Sequence, residues 1–186
     1  LRRPPRTTSR GFPNKPSLSH FLPAIDRASN MSSTKEQDAE ARFRTYKDAL
    51  IRIYGRGPLD SDQIDEFGIE AFGGSWRGVS GQERVKTPMK PGYYIVNTSR
   101  TAKSPGVHWV GLYVTSAGAY TYDSFARSGA KMLSELGGRR KKGSGAFVDS
   151  DRKDAEQRGA SAVCGHLSLA WLLVVRDLGI RSAILI

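Results

Sequence analysis

The sequence predicts an α+β fold, and three features of its 186 residues carry that prediction. Strand-like runs cluster mid-chain, over Tyr93–Thr98 (YYIVNT), Val107–Val114 (VHWVGLYV) and Ala119–Phe125 (AYTYDSF). A helical pattern precedes them, and a long apolar run, Leu167–Val175, follows as a buried helix. Grouped strands with a core helix placed last, rather than regular alternation, is the α+β pattern.

Taken in order, the chain divides into a tail over residues 1–33 and a globular domain over 34–186. In the tail, Arg2, Arg3, Arg6, Arg10, Lys15 and Arg27 stand against one acid, Asp26, and five prolines preclude regular structure. Ser33 and Glu36 form a capping box for a helix over 34–54, with Ala39, Phe43, Tyr46, Leu50 and Ile53 on one face. Gly55, Gly57 and Pro58 stop it. Asp60 with Gln63 opens a short second helix carrying Ile64 and Phe67. Residues 73–92, rich in glycine and basic residues, read as a loop around Trp76. The second and third strand runs pair as a hairpin through Ser116-Ala117-Gly118, and Ala146–Asp149 (AFVD) is a further short strand.

A hydrophobic content of 38% with three Trp, seven Tyr and seven Phe is enough for a real core. The formal charge of +11 implies an anionic partner, nucleic acid first among them. One cysteine excludes an internal disulfide and fits a reducing compartment; with three histidines it makes a poor zinc set. The longest apolar run is about half of the roughly 20 residues a membrane helix needs, so no membrane partner is expected.

That one cysteine, Cys164, falls where a polar loop (Gln157, Arg158, Gly159, Ser161) turns into the last helix. Free N–H groups and the positive end of the dipole there favour a thiolate. A cysteine by itself is more often a small buried hydrophobe; here, other residues join it. His108 and Asp123 lie nearly opposite one another across the hairpin. A carboxylate beside an imidazole orients it and makes it more basic, so it can hold a thiolate or move its proton. Gln157, seven residues before Cys164, can fold back so that its amide N–H joins the Cys164 N–H at an oxyanion. His166, two residues past Cys164, projects away from the sulfur, at the surface or behind the site. The run Arg139-Arg140-Lys141-Lys142 is a solvated charge run, a nuclear address or a phosphate contact.

At these residues the chain resembles the adenain family of adenovirus endopeptidases, and more broadly the clan of ubiquitin-like-protein-specific proteases. Ile95–Trp109 (IVNTSRTAKSPGVHW) is similar to the stretch leading into that family's histidine, Tyr122–Phe125 (YDSF) to the segment carrying its acid, and Gln157–Gly165 (QRGASAVCG) to its oxyanion glutamine and nucleophile. The order His, acid, Gln, Cys is the family's, and the likeness covers roughly residues 60–178. It implies an adenain-like fold, a central mixed or antiparallel sheet packed on a helix with the nucleophile at its N-terminus. It further implies Cys164 as nucleophile, His108 as base, Asp123 as orienting acid and Gln157 in the oxyanion hole. Trp109 becomes part of the substrate-binding wall, although a plain core aromatic fits the position equally.

The implied function is viral maturation: a thiol endopeptidase that cleaves capsid or core precursors at glycine-containing sites. It would act in the virion and in the host nucleus or cytoplasm during assembly. DNA and an activating peptide are the implied cofactors, with Arg139, Arg140, Lys141 and Lys142 as DNA contacts, though nothing in the sequence requires a cofactor. Two departures stand out. The acid is Asp where adenain has Glu, which the wider clan accepts. There is also no second cysteine, so any activating peptide would bind non-covalently. Two other functions fit the same residues: a deconjugating protease for ubiquitin-like proteins, and a basic DNA-associated virion protein that keeps the fold without activity.

Overall fold

The computed structural model describes residues 34–81, 89–98, 108–129, 131, 146–150, 155–157 and 161–186. The basic tail over 1–33 and the run Arg139–Lys142 lie outside the described residues, as do parts of the loops expected before His108 and Cys164.

Helix α1 spans Lys35–Tyr54. Its cap is Thr34 rather than Ser33: Thr34 is extended, its Oγ1 accepts the Gln37 N–H at 3.3 Å, and the Gln37 Oε1 accepts the Thr34 N–H at 2.9 Å. The capping box is therefore Thr34 with Gln37, one residue later than the Ser33–Glu36 pair. Gly55 ends the helix at φ +80, a conformation that favours glycine. Ala39, Phe43, Tyr46, Ala49 and Leu50 form its buried stripe, with Ile53 half-buried. Helix α2, Ser61–Phe72, opens on the expected Asp60–Gln63 box, with bonds of 2.8 and 3.1 Å.

Five strands make one mixed sheet in the order β1-β2-β3-β4-β5. They are β1 Trp76–Gly81, β2 Gly92–Asn97, β3 Trp109–Val114, β4 Gly118–Tyr122 and β5 Ala146–Asp149. The pairs β2–β3 and β3–β4 are antiparallel, whereas β1 runs parallel to β2 and β5 parallel to β4.

Strand β1 corrects the expectation of a loop over 73–92. Its residues, WRGVSG, show neither alternation nor β-branched richness, so no local signal marks a strand. Tertiary contacts hold it. The Trp76 indole donates to Asp65 at 2.7 Å and stacks on Phe72 at 5.6 Å. A register break between Trp76 and Val79 accommodates Gly78 at φ +98.

Helix α3, Cys164–Leu178, lies across the sheet. Cys164 to Val175 are all buried, which is why the sequence there reads as an unbroken apolar run. A Cβ at Gly111 of β3 would sit 3.2 Å from Trp171 Cε3, so helix and strand approach closely there. The Trp171 ring stacks on Tyr122 at 5.7 Å, and Tyr122 meets Phe43 of α1 edge-on. Tyr46 donates its hydroxyl to Asp177, which also pairs with Arg176. Burial and that carboxylate push the Tyr46 hydroxyl up to about 12. A short helix α4, Ile180–Ala183, closes the chain, its Ala183 carbonyl accepting the Trp171 indole N–H at 2.8 Å. The other sheet face buries a second cluster of Tyr94, Val96, Leu112, Val114 and Ala119.

This topology gathers one end of the sheet. Because β3 and β4 are antiparallel, the start of β3 and the end of β4 coincide. β5, parallel to β4, finishes there as well. His108, just before β3, and Asp123 and Ser150, just after β4 and β5, all lie at that end.

Candidate active site

His108 immediately precedes β3 instead of lying within it, and Asp123 immediately follows β4. One step past Gly111↔Tyr122, the register sets Asp123 opposite Val110. His108 is therefore two residues along, a diagonal neighbour rather than the near-opposite one expected, and the same sheet face is kept. Nε2 of His108 lies 2.7 Å from Oδ1 of Asp123, with His108 only 4% exposed and the Asp123 side chain 1%.

Asp123 is fully engaged. Oδ1 also accepts the Phe125 N–H at 2.9 Å, and Oδ2 accepts Nε of Arg127 at 2.7 Å. Burial alone would raise its pKa. The bond from His108, the Phe125 N–H, the imidazolium charge and Arg127 outweigh that, and the carboxyl is held below its ordinary range.

Cys164 is the first residue of α3, buried and unbridged. Its N-cap, Val163, offers no side-chain acceptor, so the first-turn N–H groups are not capped by their own helix. The His108 ring and the backbone N–H groups of Trp109 and Gly165 act electrostatically on the thiol. Nε2 of His108 is taken by Asp123, and Nδ1 has no conventional hydrogen-bond partner among the described residues, while the ring couples electrostatically to the Cys164 thiol. Burial would raise the thiol's pKa, but the imidazole and the two N–H groups reverse the sign and lower it. For His108, burial lowers the pKa, while Asp123 and Cys164 together carry it above the ordinary value. The three groups thus favour a thiolate–imidazolium pair.

Gln157 is 3% exposed and is tied to the residue next to the acid. Its Oε1 accepts the Ser124 hydroxyl at 2.9 Å, and its backbone N–H donates to the Ser124 carbonyl at 3.0 Å. Nε2 donates to the Ser161 carbonyl, bracing the loop before Cys164. A primary amide carries two N–H groups, and this bond uses one of them. Trp109 is half-buried and braces the site from behind, with Nε1 donating to the Leu59 carbonyl at 2.9 Å. The indole also crowds Gly165, where a Cβ would come 3.3 Å from Trp109 Cδ1 and 3.1 Å from Leu59 Cβ.

The expectation for His166 is corrected in part: it is fully buried, not at the surface. Helix α3 is covered all round at that turn, so a side chain pointing away from Cys164 still points into protein. Ser124, Phe125 and Arg127 were not singled out in the sequence. Phe125 packs its ring 4.7 Å from the imidazole, and Arg127 lies over Phe125 at 5.4 Å. The four-residue step from Asp123 to Arg127 signals a pair only in a helix, and this segment is a turn. No group of His, Cys, Asp or Glu among the described residues is arranged to hold a metal.

No protein-family model matches the chain, and no curated protein matches it either.

Proposed function

We propose that this chain is a thiol endopeptidase of the adenain type, with Cys164, His108 and Asp123 as its catalytic residues and an adenain-like fold. One observation carries the reading: a buried His108–Asp123 pair at 2.7 Å is coupled through the ring to the sole cysteine, on the first turn of the core helix.

In the proposed reaction the Cys164 thiolate attacks the scissile carbonyl carbon, and the C=O electron pair moves onto oxygen. The Cys164 N–H and the second Gln157 N–H serve that oxyanion. The imidazolium of His108 gives its proton to the leaving amine as the C–N bond breaks, leaving a thioester. Water, losing a proton to His108, then attacks the thioester carbon, the C–S bond breaks, the acid product leaves, and the Cys164 thiolate beside the imidazolium is restored. Asp123 keeps the ring oriented and stabilises its charged form throughout.

The substrates proposed are viral capsid or core precursors cut at glycine-containing sites. DNA is the proposed partner and a non-covalent peptide the proposed activator. The net charge of +11 supports an anionic partner. Contacts from Arg139, Arg140, Lys141 and Lys142 would make duplex binding steeply salt-dependent, and their replacement by Ser should flatten that slope.

The test is covalent labelling of the full chain with a peptide carrying a thiol-reactive warhead after glycine. Labelling is expected at Cys164 and should vanish in His108→Ala. Absent labelling of folded wild-type protein would leave a basic DNA-associated protein without activity. Cleavage of a ubiquitin-like fusion in preference to a capsid-type precursor would move the assignment to a deconjugating protease.

A further inference from the structure

We propose that Arg127 is the positioning residue of the His108–Asp123 pair: its guanidinium fixes Oδ2 of Asp123, keeps Oδ1 on the imidazole, and backs the Phe125 ring against His108. The inference rests on the peptidase reading and names what sets the pH range of its nucleophile.

Each Asp123 oxygen has its own anchors. Oδ1 takes Nε2 of His108 and the Phe125 N–H, whereas the bond that holds Oδ2 comes from Arg127 at 2.7 Å. With Arg127 gone, a buried carboxylate oxygen loses that donor, and the group can turn to recover one, which pulls Oδ1 from the ring. Arg127 reaches inward from the surface: its side chain is 51% exposed while that of Asp123 is 1%. The same guanidinium lies over Phe125 at 5.4 Å, and the Phe125 ring centroid is 4.7 Å from that of the imidazole.

The backbone between these two residues is built for that presentation. Ala126 has φ +54, the one non-glycine residue with positive φ among the described residues. Such a conformation is unfavourable for alanine and persists where neighbouring bonds fix it. Those bonds are present. The Ala126 N–H donates to the Asp123 carbonyl at 2.8 Å. Beyond Arg127, the Asp149 carboxylate accepts the Ser128 hydroxyl at 3.0 Å and the Gly129 N–H at 2.8 Å. The turn is thus pinned at both ends, with Phe125 and Arg127 directed at the pair from between the pins.

The charged groups around the pair leave little to replace Arg127. Cys164 acts on His108 from the start of α3, and Tyr122, hydrogen-bonded at 3.1 Å to the Glu156 carboxylate, adjoins Asp123 at the end of β4. Apart from the imidazolium, Arg127 is the cation that touches this set among the described residues. Removing it withdraws positive charge that favours the thiolate and loosens the imidazole that holds it. Both changes raise the pH at which Cys164 loses its proton.

The test measures iodoacetamide alkylation of Cys164 against pH in the full chain, for wild type, Arg127→Gln, Arg127→Met and Arg127→Lys. In Arg127→Gln and Arg127→Met the acid limb is expected to move up by about half a pH unit, or about threefold in rate on the limb. Arg127→Lys should recover most of it. The displacement should shrink in high salt, because the guanidinium is half exposed. A merely structural role would lower the melting temperature without moving the limb. A low wild-type thiol with an unmoved limb in either uncharged variant overturns this inference alone. A wild-type thiol that titrates in the ordinary range overturns the peptidase reading and this inference with it.

Discussion

The Ser124 hydroxyl donates to Oε1 of Gln157 at 2.9 Å, and the Ser124 carbonyl accepts the Gln157 N–H at 3.0 Å. The residue beside Asp123 therefore grips the residue seven positions before Cys164. If the second Gln157 N–H serves an oxyanion, Gln157→Ala should lower kcat by about 10²- to 10³-fold with little change in KM. Ser124→Ala, which leaves the amide in place but unheld, should cost about tenfold by loss of orientation. Steady-state kinetics on a glycine-containing fluorogenic peptide distinguish these outcomes. Equal kcat for Gln157→Ala and wild type would remove the oxyanion role.

The pair sets a pH dependence whose sign follows from the directions of its shifts. Asp123 is held below its unfolded value near 3.8, so its contribution is complete above that pH and is lost as pH falls through the lower folded value. His108 is raised above 6.5, so its contribution is complete below 6.5 and is lost as pH rises through the folded value. The pair should therefore stabilise most between about pH 4 and 6.5. Thermal melts of wild type and His108→Ala across pH 4–9 should differ most in that interval and converge toward the alkaline end.

His166 has the opposite sign. It is fully buried, neither ring nitrogen makes a conventional hydrogen bond among the described residues, and burial lowers its pKa against a weaker pull from the Gly55 backbone. A base depressed in the folded state costs stability once the unfolded state binds its proton, so stability should fall as pH drops below 6.5 toward the folded value. His166→Leu, which fills similar space without polar atoms, should flatten this acid-side slope and leave stability at pH 8 equal or higher. Melting temperatures at pH 5 to 8 give the comparison, and an unchanged slope would exclude His166 as its source.

Gly165→Ala tests how tightly the first turn of α3, with Cys164, is seated. The added Cβ would meet Leu59 Cβ at 3.1 Å and Trp109 Cδ1 at 3.3 Å, so α3 or the Trp109 ring must shift. Overpacking of this kind costs about 1–3 kcal/mol, and the shift falls beside Cys164. Urea unfolding should show that loss, and thiol alkylation at pH 6 should slow more than stability alone explains. Unchanged alkylation would mean that the ring yields and the helix does not.

Much of this architecture is local in origin and was legible without coordinates. Asp60 with Gln63, the stripe from Ala39 to Leu50, the hairpin about Gly118 and the apolar helix after Cys164 are each specified by residues a few positions apart. Periodicity and capping need no distant partner. The Thr34 cap shows the limit: two adjacent residues could serve, and the backbone conformation chose between them.

The sequence by itself determined that strands precede a buried helix opening on the only cysteine, and that one histidine and one aspartate end up at the same edge of a hairpin. Only the tertiary structure decided that β1 is a strand, since WRGVSG is held by Trp76 against Asp65 and Phe72 rather than by its own pattern. It also decided that His108 meets Asp123 diagonally, and that Arg127 and Ser124 clasp the acid and the glutamine. Local periodicity selects the elements. The bonds between residues far apart, or turned toward one another by a single left-handed alanine, exist only once the chain has packed.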